Sequence, residues 1–279
     1  MREDFAIFII SHERANSLLT LKTIKSTNKV YIVVDDEDRE LDTYLKNFPL
    51  VKVFNKKQIK CDNYLNKFEP NSALYARCYC EQLAKELNLK YFLVLDDDIK
   101  NFYFRGNIEG HLKAIKVNNF DSIVDVYLDL LDSTNVGMLG FGNGTSYFGG
   151  IACFENDCKR RCFGAFFRKT SIDFKWECIM NEDYISCVRN GQLGFVALEL
   201  MGVQLDAETK EKKDGNKQLG GLSNSYKEFS DFRRAYMAVV SNPSCFKATK
   251  NRQEKYIIKC SWDYAIPKLI SSKNQRRQA

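Results

Sequence analysis

The stretch YFLVLDDDIKNF, Tyr91 to Phe102, constrains this chain more than any other. An apolar run from Tyr91 to Leu95 stops abruptly at three carboxylates, Asp96, Asp97 and Asp98. A continuous apolar run bounded by charge reads as a strand buried on both faces. The carboxylates then stand at its C-terminal end, where open α/β sheets place their ligands. Three adjacent carboxylates repel one another, and a divalent cation holding a diphosphate satisfies them. Side chains alternate along a strand, so Asp96 and Asp98 are the expected metal ligands. A solvated acidic turn is the plainer alternative.

The first hundred residues repeat one unit of apolar run, loop and amphipathic helix. FAIFII (Phe5 to Ile10), VYIVV (Val30 to Val34) and VKVF (Val51 to Phe54) read as strands. Helical spacing runs through Leu18, Leu21 and Ile24, through Leu41, Tyr44 and Leu45, and from Ser72 to Leu87. Strands alternating with helices predict a parallel sheet with right-handed crossovers. The strand ends at Ser11, Asp35 and Asp96 then share one edge. Arg14 follows the first strand, where a guanidinium beside a helix start can pair with phosphate. Asp35 or Asp36 can accept hydrogen bonds from a ribose hydroxyl or a base N–H. Arg77 is positioned to reach a diphosphate or to neutralise the carboxylates, and a structural ion pair explains it equally well.

The chain has 279 residues, enough for one large domain or two small ones. The division expected is a nucleotide-binding half, residues 1–135, and a basic half, residues 136–279, within one continuous domain. Charge is uneven: residues 1–150 carry a net −2 and residues 151–279 a net +8. The basic half contains Arg160, Arg161, Arg233 and Arg234, candidates for contacts to a polyanion. Nearby Phe163, Phe166, Phe167 and Tyr236 are either stacking surfaces or core. No apolar run approaches the roughly 20 residues of a membrane span. The ten cysteines lie scattered, which reads as reduced thiols in a cytoplasmic protein. Cys153, Cys158 and Cys162 come nearest to a metal set but lack a fourth ligand.

Several features of these segments match a known family. The order FIISHERANSLLTLKT, YIVVDDED, YFLVLDDDIKNF resembles the GT-A glycosyltransferases, and within them the TET/JBP-associated branch. The resemblance implies a Rossmann-like, mostly parallel sheet flanked by helices with a C-terminal acceptor-binding extension. It implies Mn²⁺ or Mg²⁺ and a nucleotide sugar, with a UDP-sugar as the expected donor. Ser11, Arg14, Asp35, Asp36, Arg77, Asp96 and Asp97 would line the donor. The implied acceptor is a hydroxymethylpyrimidine in DNA, as in phage-type hypermodification, which would place the protein in the host cytoplasm if it is phage-encoded. By the same resemblance the pair Glu182-Asp183, in MNEDYISCVRNG, faces the acceptor. Asp183 is then the base candidate and Glu182 the reserve. The plain reading of both is acidic residues favouring a helix N-terminus.

Gly137 to Gly150 holds six of the fifteen glycines and is read as turns or as backbone approaching a sugar. Lys212 to Tyr226 is polar and glycine-punctuated, as a loop over a site would be. The histidines are His12 and His111, neither late in the chain. Where related enzymes add a late histidine to the metal shell, either the Asp cluster and diphosphate hold the metal with water here or a late carboxylate such as Asp263 substitutes, and His12 is expected to shape the first loop. Two rivals remain. One keeps the transferase and moves the acceptor to a protein, glycan or lipid-linked sugar. The other is a non-catalytic nucleic-acid-binding module on a degenerate transferase fold, against which the intact carboxylates argue.

Overall fold

All six residues of β1 (Phe5–Ile10) are buried, as expected of a strand covered on both faces. A computed structural model describes residues 1–61, 72–155, 161–208 and 229–274. β1 lies between β2 (Lys29–Asp35) and β4 (Tyr91–Asp96), parallel to both, and β3 (Val51–Phe54) extends the parallel set beyond β2. The crossovers carry α1 (Leu19–Thr23), α2 (Leu41–Asn47) and α3 (Leu74–Glu86). α3 turns Leu74, Cys78 and Leu83 inward, as its spacing predicts. Burying each such side chain contributes roughly 1.5–3 kcal/mol.

Beyond β4 the sheet becomes mixed. Its nine strands run in the order β3-β2-β1-β4-β8-β7-β9-β5-β6. β5 (Ile99–Ile108) and β6 (His111–Lys116) form a hairpin at the far edge. Between β4 and that hairpin sit β8 (Ala165–Lys169), β7 (Val136–Gly142) and β9 (Val196–Ala207). Strands from residues 1–135 and 136–279 therefore interleave in one sheet. α4 (Asp121–Ser133) covers the β7–β8 region, where Tyr127, Phe141 and Phe167 pack with ring centroids 4.9–5.7 Å apart. α5 (Glu182–Gln192) precedes β9, and α6 (Asp231–Ser241) packs on the hairpin β10 (Phe246–Lys250) and β11 (Tyr256–Cys260) before the short α7 (Trp262–Ala265). Among the described residues no helix is long and apolar enough to cross a membrane.

The glycine-rich segment is divided between strand and turns. Gly137, Gly140 and Gly142 lie inside the buried strand β7, Gly144 and Gly150 fall in 3-10 turns, and Gly149 lies in a turn at φ +100°. A Cβ at Gly140 would sit 2.9 Å from the Cys162 Cβ, so glycine here permits close packing of β7 against the chain entering β8.

Candidate active site

The parallel strands bring their C-terminal ends together, with Ile10 opposite Asp96. β4 ends at Asp96, and Asp97-Asp98 form a tight turn into β5. Strand alternation therefore does not reach Asp98. Two groups from the β1–α1 loop and one from α1 hold this turn. Ser11 Oγ donates to Asp97 Oδ2 at 2.6 Å, and Arg14 Nη1 pairs with Asp97 Oδ1 and lies 3.6 Å from Asp98 Oδ2. Thr20 Oγ1 donates to the Asp96 carbonyl at 2.6 Å and accepts from Ile99 N at 2.9 Å. Asp97 is thus committed to Ser11 and Arg14. Asp96 and Asp98 stay half-buried. Gly164 has φ +68°, and a Cβ there would stand 3.2 Å from Asp96 Oδ2, so the residue keeps the approach to that carboxylate open.

Burial pushes the Asp96 carboxyl up; Arg77 opposes the shift, and Asp98, Asp97 and Glu182 add to it. Arg77 projects from α3 and is 6% exposed. Its Nη1 lies 2.8 Å from Glu182 Oε1, with the N–H misaligned, so the contact is an ion pair without a formed hydrogen bond. Its guanidinium also sits 5.3 Å from the Trp176 ring centroid and 5.7 Å from that of Phe166. Arg77 Nε has no hydrogen-bond partner among the described residues. A buried cation thus joins the β4 edge to the start of α5.

At that start, Glu182 and Asp183 are both buried. Burial raises the Glu182 carboxyl, with Arg77 opposing. Asp183 Oδ2 accepts from Arg161 Nη1 at 3.0 Å, and its Oδ1 accepts from Tyr184 N at 2.9 Å. Asn181 caps the approach in the left-handed region at φ 57°, and its Nδ2 donates to the Arg234 carbonyl at 2.7 Å.

The profile of the TET-Associated Glycosyltransferase family matches residues 5–215, from β1 to just past β9. The chain belongs to this family. It is therefore a glycosyltransferase. No curated protein matches it. Among solved structures it is similar to a "putative nucleotide-diphospho-sugar transferase" from Desulfovibrio desulfuricans G20, with 9% identity, 88% of this chain and 96% of that chain covered, and a TM-score of 0.42.

In this TET-associated glycosyltransferase the β2 end is an ionic cluster. His12 Nδ1 lies 3.0 Å from Asp35 Oδ2 and 3.2 Å from Asp38 Oδ2, and Lys56 Nζ lies 3.1 Å from Asp35 Oδ1. The bonds to Asp35 and Asp38 raise the imidazole to about 9 against burial and Lys56. Burial works against ionised Asp35, yet His12 and Lys56 hold it below the usual carboxylate range. Sequence reading named Asp35 but missed Asp38 and Lys56, and it gave His12 only a shaping role. The run Asp35 to Asp38 was the available signal. Asp36 is exposed and accepts from Asn55 Nδ2 at 2.7 Å.

Two carboxylate sets can be compared as metal sites. His12, Asp35 and Asp38 form the one group of three donors lying within 4.8 Å of one another among the described residues. A metal here would have to displace the proton that His12 shares with Asp35 and Asp38, and Lys56 already offsets Asp35, so the cluster is charge-balanced without one. Asp96 and Asp98 are crowded by like charges, and an added cation would relieve them. That donor set fits Mn²⁺ or Mg²⁺, which prefer carboxylate oxygens. Asp263 is exposed on α7 and belongs to no such group.

The basic residues are placed unevenly. Arg161 is engaged by Asp183 and lies 4.3 Å from the Tyr184 ring centroid. Arg233 is exposed on α6, 4.8 Å from the Phe229 ring centroid, and Arg234 beside it is half-buried. Arg160 and the segment Lys212 to Tyr226 lie outside the described residues, as does Cys158. Phe166 and Phe167 are core, whereas Phe163 and Tyr236 are exposed.

Proposed function

We propose that this glycosyltransferase moves a sugar from a nucleotide sugar, a UDP-sugar in our reading, to a hydroxymethylpyrimidine in DNA, with Mn²⁺ or Mg²⁺ held by Asp96 and Asp98. The observation that carries the reading is the Arg77–Glu182 contact. It draws the Asp96 edge and the Glu182-Asp183 pair into one charge-coupled site. When bound, the divalent ion would neutralise charge on the leaving diphosphate.

The protein's own groups divide the remaining work. Arg14 anchors the Asp turn and lends positive charge beside the diphosphate, and Ser11 fixes Asp97. Arg77 offers its open Nε to the same region. Asp35 and Asp36 stand where a ribose or base would lie. Asp183 accepts the hydroxymethyl proton as that oxygen attacks the anomeric carbon and the bond from that carbon to the diphosphate breaks. A positioned base of this kind is worth about 10²–10⁴ in rate. Arg161 orients Asp183, and Arg233, Arg234 and Arg160 are the candidate wall for DNA.

The test is incubation with labelled UDP-sugars, a divalent ion, and DNA carrying or lacking hydroxymethylpyrimidine. Label on the hydroxymethylated DNA alone supports the reading. Label on a protein, glycan or lipid-linked sugar, with none on DNA, overturns the acceptor and leaves the transferase.

A further inference from the structure

A cavity of about 300 Å³ opens beside the Asp turn and uses none of the residues assigned above. Its wall carries Lys22 and Lys25 from α1 and its exit, Lys100 from β5, and Lys116 from the end of β6, over Phe102 and Phe120. Lys22, Lys25 and Lys100 thus border one opening in a half of the chain whose net charge is −2, while alternation turns Lys116, opposite Tyr103, to the other face of the hairpin from Ile115. Lys100 lies 3.4 Å from Glu208, and Lys22, Lys25 and Lys116 have no carboxylate within 4.0 Å among the described residues. The wall is fixed: Thr23 Oγ1 donates to the Lys100 carbonyl at 2.8 Å, and Phe102 and Phe120 pack at 4.9 Å. Like-charged lysines brought together without partners favour an anion between them. Lysine, a compact charge with three donors, suits phosphate.

The neighbouring surface identifies the kind of phosphate. On the β5–β6 hairpin Phe104 stands directly opposite Ile115. Alternation puts this pair on the same face as Phe102, one step further along. Both are exposed, Phe104 at 41% and Ile115 at 56%. A free phosphate or a nucleotide headgroup would use the lysines and leave this apolar pair in water. A single-stranded polynucleotide alternates phosphate with flat bases, and proteins that hold one combine a cationic groove with an aromatic platform. Lys100, in the cavity wall, follows Asp98 by two residues.

We infer that the Lys22, Lys25 and Lys100 cavity anchors backbone phosphates of a single-stranded stretch of the acceptor, with Phe104 stacking on an adjacent base. The inference rests on the DNA-acceptor reading. It adds an anchor in the N-terminal half, apart from the arginines of the basic half, and a single-stranded stretch there accommodates extrusion of the target base.

Fluorescent single-stranded DNA, titrated against the full chain over a salt series, tests it. Wild type should bind with a steep log–log salt slope. The double variant K22Q/K25Q should flatten that slope by about 0.7 for each phosphate it no longer neutralises. F104A should weaken binding without changing the slope, and UDP-sugar affinity should stay at the wild-type value in both, which also shows that they fold. DNA binding by wild type with an unchanged slope in K22Q/K25Q overturns the anchor and leaves the DNA acceptor standing. No DNA binding by wild type overturns both. Inorganic phosphate held at the lysines while DNA is ignored overturns the polynucleotide and assigns the cavity to a small phosphate ester.

Discussion

Arg77 and Glu182, separated by more than a hundred residues in sequence, meet at 2.8 Å with side chains 6% and 8% exposed. Removing one partner of a buried ion pair leaves the other uncompensated, at a cost of about 3–5 kcal/mol. Arg77→Met should therefore destabilise strongly in urea unfolding. The double variant Arg77→Met/Glu182→Gln should recover much of that stability. Equal destabilisation of single and double variants would show that the pair is not coupled.

The metal assignment predicts opposite effects on stability and activity. Asp96 has a folded-state pKa above its unfolded value, so its ionised form costs stability once the pH exceeds the unfolded value. Asp96→Asn should raise the thermal midpoint of metal-free protein at neutral pH and abolish transfer. It should also erase the rise in midpoint that Mn²⁺ gives the wild type. His12→Gln should leave that Mn²⁺ response intact; if it is the variant that loses the response, the ion sits at His12, Asp35 and Asp38.

Asp183→Asn should keep donor affinity and fold while turnover drops by roughly 10²–10⁴. Arg161→Gln, which removes only the orienting contact, should lower turnover less and shift its pH profile. Inactivity of Glu182→Gln beside an active Asp183→Asn exchanges the two roles.

His12 sets a pH dependence of stability. Its pKa rises from about 6.5 in the unfolded chain to about 9 in the fold. The stabilisation it contributes is complete below the unfolded value and is lost as pH rises through the folded one. Urea midpoints should fall between these limits in wild type and stay flatter in His12→Gln. Parallel curves would mean that the imidazole is not held protonated.

β1, β2, β3, α3 and β4 were legible because burial on both faces and helical periodicity are local patterns. The Asp turn was legible because a charge cluster ending an apolar run is local too. The partners of those charges were not. Arg14 meets Asp97 and Arg161 meets Asp183 only after the sheet has assembled, and no spacing rule encodes such pairs. The glycines of β7 read as turns or as backbone approaching a sugar because a strand that packs by lacking side chains leaves no hydrophobic signature. The lysine cavity was invisible for a related reason: its lining comes from segments far apart in sequence.

The interleaved sheet sets the order in which the enzyme can mature. Translation delivers β4 and the β5–β6 hairpin before any of the three strands that separate them. Beside the early bond from Thr20 N to the Asp97 carbonyl at 3.2 Å, the Asp turn takes two main-chain supports from residues flanking β8 and β9: Asp96 N donates to the Gly164 carbonyl at 2.7 Å and Glu208 N donates to the Asp98 carbonyl at 2.8 Å. A ribosome-bound chain that stops short of β9 therefore carries every residue of the triplet in an unfinished frame. The frame around the triplet is complete only once β9 has been made and closes the gap.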